Sequence, residues 1–174
     1  MPNSRKEAFE LLEKLGTPEH IKNHVALVGE VADLLIDALR DLGIELDNEF
    51  IRTGVVIHDV GKIVHINELT GPGSEHEPEG EKILIHNGVS EKLARVCMTH
   101  ARWETMECSF EELIIALSDK LWKGQRVDSL ELDVVDKAAK ILKKERWDIF
   151  PELDLKFEEI SSSGYERLQR SLGS

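Results

Sequence analysis

Apolar residues recur at helical spacing along nearly the whole of this chain, and no segment alternates apolar with polar residues as a half-buried strand does. That periodicity restricts the fold to an all-α one, a compact helical bundle. The 174 residues, 41% of them hydrophobic, suffice for one real core, and neither an internal repeat nor a linker divides them. The expectation is therefore a single domain.

Local signals place the helices. Ser4 with Glu7 reads as a capping box opening a first helix that stops at Gly16. Thr17-Pro18 then starts a long helix ending near Gly43, with Ile21, His24, Val28, Val31 and Leu35 on one face, so His24 looks inward. A third helix runs from about residue 47 to His58-Asp59, followed by a Gly/Pro-rich loop from about 64 to 76. Short helices are expected from about Pro78 to His86 and from Ser90 to His100. Ser109 with Glu112 caps the next, ending at Gly124, and Asp128 with Glu131 opens another reaching about Trp147. Pro151 starts a last charged helix that frays into Ser161–Gly164. The helices from 128 to about 170 are expected to cover the core.

Charge and composition exclude several classes. A net charge of −12 argues against a nucleic-acid or anionic-membrane binder, both of which need basic surface. No apolar run approaches the roughly 18 residues of a membrane span, and nothing after Met1 resembles a signal peptide. Cys97 and Cys108 form no C-x-x-C pair and read as small core hydrophobes, which fits a cytoplasmic protein.

Chemistry enters with His58-Asp59, set between Val55-Val56-Ile57 and Val60-Gly61-Lys62. A carboxylate at the end of an apolar run needs a cation or a dense set of hydrogen bonds, because burying it unpaired costs several kcal/mol. Metal-capable residues that could share a cation with it are His24, His76, His100 and Asp119. Each has an ordinary alternative. His24 alone is a satisfied core histidine, Asp119 a partner of Arg102 or Arg126, and His76 a solvated loop side chain. Imidazole with carboxylate suits Fe, Mn, Co, Ni or Zn better than Ca or Mg.

The order His24, His58-Asp59, Asp119 resembles the HD superfamily of metal-dependent phosphohydrolases. Asn23-His24-Val25-Ala26-Leu27-Val28, His58-Asp59-Val60-Gly61-Lys62 and Ser118-Asp119-Lys120-Leu121 resemble the flanks of its ligands, over roughly 19 to 126. His76-x-x-x-Gly80-x-x-x-Leu84 followed by His100 is similar to the dinuclear subset of that family. The resemblance implies two divalent transition metals, one on His24, His58, Asp59 and Asp119, the other on Asp59, His76 and His100. His86 is an alternative to His76. His20 offers an i,i+4 pairing with His24, and His65 reads as solvated or as a partner behind the ligands. His100-Ala101-Arg102-Trp103 lacks the adjacent histidine and the Gly-Tyr-Pro of the HD-GYP branch.

The implied chemistry is cleavage of a phosphoester or phosphoanhydride by a metal-bound hydroxide, with Asp59 bridging the metals. Lys62 would meet the substrate phosphate, with Arg102, Lys123 and Arg126 as further contacts. The substrate would be a small phosphorylated molecule, a nucleotide or a bis-nucleoside tetraphosphate. The same four-His, two-Asp set also serves mixed-valence di-iron oxygenases, and a mononuclear 5'-nucleotidase or a regulatory module without turnover are further alternatives. Tight iron with oxygen uptake would identify the oxygenase, and phosphate release the hydrolase. Trp147, Ile149 and Phe150 either dock the last helix or form a homodimer contact.

Overall fold

The computed structural model describes residues 1–173, and among them there are helices and turns but no strand. The helices are α1 (Arg5–Lys14), α2 (Glu19–Asp41), α3 (Asn48–Ile57), α4 (His76–His86), α5 (Glu91–Ala94), α6 (Val96–Arg102), α7 (Phe110–Leu121), α8 (Asp128–Leu142), α9 (Arg146–Ser162) and α10 (Gly164–Gly173). Two 3₁₀ turns, Val60–Ile63 and Ile66–Leu69, join α3 to α4. The all-α fold follows from the periodicity. Caps act where the sequence places them: Ser109 accepts from the Glu112 N–H while the Glu112 carboxylate accepts from the Ser109 N–H.

Helices α2, α3 and α7 pack against one another at the centre. Each turns a wide apolar face inward, and Val28, Val31, Ile51, Val55, Ile114 and Leu117 are fully excluded from water. Helix α7 is covered on both sides, by α2, α3 and α6 and by α8. Helix α4 lies on the first 3₁₀ turn and on α6, and α10 lies on α2 and α9.

Several expected boundaries move, each for a local reason. Helix α8 stops at Leu142 rather than near Trp147, because Lys143 takes a left-handed conformation (φ 53°) and ends it. Helix α9 begins at Arg146, not at Pro151, since Glu145 and Asp148 cap it reciprocally upstream of the proline. No fraying follows at Ser161–Gly164: α9 continues to Ser162 and α10 starts at Gly164. Helix α4 starts at His76, before Pro78, whose missing N–H falls among the first-turn groups that have no intrahelical partner anyway. The segment from Ser90 to His100 splits into α5 and α6 around Arg95. Within the expected dimer face, Ile149 is buried in the core, whereas Trp147 is 65% exposed.

Candidate metal centre

The centre is built at the ends of helices. His58 is the residue at which α3 terminates, and Asp59 follows it into the 3₁₀ turn. His24 comes from α2, Asp119 from the last turn of α7, His76 from the first turn of α4 and His100 from α6. All six side chains meet in one place. Donor atoms of His24, His58, Asp59 and Asp119 lie within 4.8 Å of one another, as do those of Asp59, His76 and His100.

Asp59 joins the two groups through its two oxygens. Oδ2 lies 3.2 Å from His24 Nε2 and 3.5 Å from His58 Nε2, while Oδ1 lies 3.5 Å from both His76 Nε2 and His100 Nε2. Asp119 Oδ1 completes the first group, 3.2 Å from His58 Nε2 and 3.4 Å from His24 Nε2.

Three of the rings are held from behind. His58 Nδ1 donates to the Val55 carbonyl (2.7 Å) and His100 Nδ1 to the Val96 carbonyl (3.0 Å). His76 Nδ1 donates to the Glu68 carboxylate. A carbonyl or carboxylate can only accept, so each Nδ1 carries the proton and each Nε2 presents a lone pair to the centre. Sequence reasoning missed Glu68. It sits in an aperiodic stretch, and only its contact with His76 gives it a role.

Glycines make the juxtaposition sterically feasible. A Cβ at Gly61 would sit 1.8 Å from the His76 carbonyl oxygen, and one at Gly80 would sit 3.0 Å from the Gly61 nitrogen. The turn carrying Asp59 and the helix carrying His76 thus touch main chain to main chain, which explains both the glycine after His58-Asp59 and the H-x-x-x-G spacing.

Electrostatics follow the geometry. Burial works to raise the Asp59 carboxyl, but His58, His100, His24 and His76 hold it well below the usual carboxylate range. Asp119 is likewise held low against burial, by His58 and His24. Burial lowers His24, yet the carboxylates of Asp119 and Asp59, 3.4 and 3.2 Å from its Nε2, outweigh it and push the imidazole up to about 9. Lys62, opposed by burial but raised by the charge of Asp59 2.8 Å away, stays a cation.

Buried polar atoms left over at the centre supply the test for a cation. His24 Nε2, Asp59 Oδ1 and His76 Nε2 are all excluded from water and have no hydrogen-bond partner. Such orphans are costly, and cations drawing on nitrogen and oxygen lone pairs in the two groups would satisfy them. The donor set fits divalent metal.

The centre opens into a cleft of about 630 Å³, within the range of about 300–1,000 Å³ usual for small-molecule sites. Lys62, Lys120 and Lys123 line it, as do Trp122 and, from α10, Leu168, Ser171 and Leu172. Trp122 stands edge-on to His24, with ring centroids 4.8 Å apart. His20 lies on the rim, exposed, and is in neither donor group. His86 is exposed on α4 away from the centre, and His65 faces Glu75 at 3.5 Å.

Two expected substrate contacts are engaged elsewhere. Arg126 is absent from the cleft and is held by Glu131, Asp154 and Glu158, each at 2.6 Å, as it ties the end of α7 to α8 and α9. Arg102 donates to the buried Glu77 at 2.6 Å, and it is Glu77 that lines the cleft. Lys120, which the sequence did not mark as a substrate contact, lines the cleft.

The HD domain family profile matches residues 21–140 of the chain, past the expected limit near residue 126 and through most of α8. An uncharacterized protein of Methanocaldococcus jannaschii is 30% identical over 154 residues, covering 80% of this chain and 86% of that protein. No solved structure matches the chain. With His24, His58-Asp59 and Asp119 in sequence order and around one point inside the matched region, this chain belongs to the HD domain family, a superfamily of metal-dependent phosphohydrolases.

Proposed function

We propose that this protein is a phosphohydrolase with a dinuclear metal centre, acting on a nucleotide phosphoester or phosphoanhydride. The single observation that carries the reading is Asp59, whose oxygens face two different pairs of histidines. One carboxylate divided in this way suits two cations sharing a ligand, with His24, His58 and Asp119 on one side and His76 and His100 on the other. Imidazole and carboxylate together favour Fe, Mn, Co, Ni or Zn. Divalent cations there supply Lewis acidity, polarising a phosphoryl oxygen and lowering the pKa of water from about 15.7 toward about 7.

The chain's own residues do the rest. Backbone carbonyls and Glu68 fix three of the four histidine rings, so those need little reorganisation when a ligand arrives. Lys62 touches the shared carboxylate and lines the cleft, within reach of a phosphate, and Lys120 and Lys123 add positive charge around it. In-line attack at phosphorus needs mainly positioning and charge neutralisation, which this arrangement provides. These lysines, in a protein of net charge −12, favour an anionic substrate over molecular oxygen.

The test is metal content of the purified protein together with phosphate release from a nucleotide panel that includes diadenosine tetraphosphate, repeated with Asp59→Asn and His76→Ala. About two transition metals per chain and cleavage lost in both variants are the expected results. One metal, with His76→Ala fully active, would remove the second group from the reaction. Two irons with oxygen uptake and no phosphate release would overturn hydrolysis altogether.

A further inference from the structure

Helix α10 lies beyond residue 140, where the family match ends, yet it forms one wall of the cleft. It is fixed there firmly. A Cβ at Gly164 would sit 2.2 Å from the Gly124 nitrogen, so the start of α10 presses on the chain just past the end of α7. Arg167, only 5% exposed, donates to the Ile160 carbonyl (2.8 Å) and the Trp122 carbonyl (3.4 Å). It thereby adds a donor to the Ile160 carbonyl, which also takes the Ser163 N–H at the end of α9, and supplies one to the Trp122 carbonyl just past α7. Arg170 reaches Glu30 of α2 at 2.7 and 2.9 Å. One helix is thus tied to the turn that carries Trp122 and Lys123 and to the helix that carries His24.

The face it gives the cleft is mixed but mainly apolar. Leu168, Ser171 and Leu172 stand at i, i+3 and i+4, on one side of the helix. Leu168 is partly buried against the core, whereas Leu172 is 75% exposed, so the fold itself does not need Leu172 to be apolar. Trp122 carries apolar surface up to His24, and the lysines stand in the same cleft. A free phosphate or a small polyol phosphate would use the cations and leave the apolar wall wet.

We infer that α10 is the specificity-determining wall of the cleft: Leu168 and Leu172, with Trp122, receive the flat apolar part of an organic phosphate, the base of a nucleotide, while the lysines hold its phosphate. This rests on the phosphohydrolase reading above and adds to it the substrate's organic half. Binding of the base follows from burial of its flat apolar face against the leucine side chains and the accessible edge of Trp122, and selection against smaller phosphates follows from its loss.

The experiment uses the full chain and the variant Leu172→Glu, which changes an exposed position, with Leu155→Glu on the outer surface of α9 as a control. Adenosine, which has no phosphate, is titrated into metal-free protein and followed by saturation-transfer NMR. The loaded protein is assayed for kcat/KM on AMP and on glycerol 2-phosphate. Expected are adenosine contacts in the wild type and their loss in Leu172→Glu. The AMP preference should also fall at least tenfold, through KM, with no such change in Leu155→Glu. Unchanged adenosine contacts and an unchanged preference in Leu172→Glu would overturn the inference, as would a wild type that cleaves both esters equally well and does not bind adenosine. A protein that binds adenosine through Leu172 but cleaves no phosphate would instead sink the hydrolase reading and leave the apolar wall standing.

Discussion

Glu68 accepts the Nδ1–H of His76, and the same carboxylate takes the backbone N–H groups of His76 and Glu75 at 3.0 Å each. One side chain from the second 3₁₀ turn therefore sets both the ring orientation of a candidate ligand and the first turn of α4. Because groups of this kind behind metal ligands typically contribute 10–100-fold to metal affinity or activity, Glu68→Ala should weaken the His76 side of the centre by about that factor. Titration with metal, read by calorimetry, would show one class of site lost while the other remains. Two unaltered classes would remove Glu68 from the centre.

Gly61→Ala should act without touching any donor atom. The added methyl would collide with the His76 carbonyl oxygen at 1.8 Å, and a backbone atom cannot swing aside as a side chain can. The first 3₁₀ turn and α4 must separate, at a cost of about 1–3 kcal/mol or more by analogy with overpacked cores. A lower melting temperature and loss of metal at the His76–His100 group are expected together. A variant that keeps full metal content and full stability would show that the seam between the segments gives way easily.

Arg126→Met addresses an assignment that the structure redirects. Its partners Glu131, Asp154 and Glu158 lie on α8 and α9, and Glu131 is 4% exposed, so removing the guanidinium takes the counter-charge from a buried carboxylate that keeps the Val127 N–H. A loss of about 1–3 kcal/mol in unfolding free energy is expected. KM for the substrate should stay within twofold of wild type. A tenfold rise in KM with intact stability would put Arg126 back at the substrate.

Acid should loosen the junction of α1, α2 and α3 through Asp33, which accepts from Arg5 at 2.8 Å and Arg52 at 3.1 Å. Burial opposes the shift, but the two guanidinium groups hold this carboxyl below its ordinary 3.8. Its folded pKa is depressed, so the stabilisation is present above about 3.8 and fades as pH falls through the lower folded value. The side chain is 36% exposed, which limits the effect to about 1 kcal/mol or less. In urea unfolding with chelator present, Asp33→Asn should be less stable than wild type at pH 7, and the gap should close toward pH 3. A gap that is constant with pH would assign the loss to something other than charge.

The fold and the centre were not equally legible in the sequence. His24, His58-Asp59 and Asp119 could be read because each ends or faces an apolar helix, where a polar side chain needs a reason. Gly61 and Gly80 were visible as spacing, but their work is a contact between backbones distant along the chain, which no local pattern encodes. Glu68 and Lys120 look like any other charged residues of an acidic protein. Helix α10 was concealed by Ser161-Ser162-Ser163-Gly164, which resembles a frayed end until Gly164 is seen against Gly124 and Arg167 against the carbonyls to which it donates. Its boundaries depend on tertiary partners, not on its own composition.

The three lysines of the cleft lie in a molecule whose summed charge has the opposite sign. An approaching anion is therefore repelled at long range and attracted only close in, within about the 8 Å over which charges are felt at physiological ionic strength. Moderate salt screens the distant repulsion more than the near attraction. Encounter with a charged substrate should then quicken, or hold steady, as ionic strength rises from very low values. That is the reverse of the behaviour of enzymes that draw in their substrates with a field of favourable sign, and it makes the capture rate of this protein a readout of its outer surface.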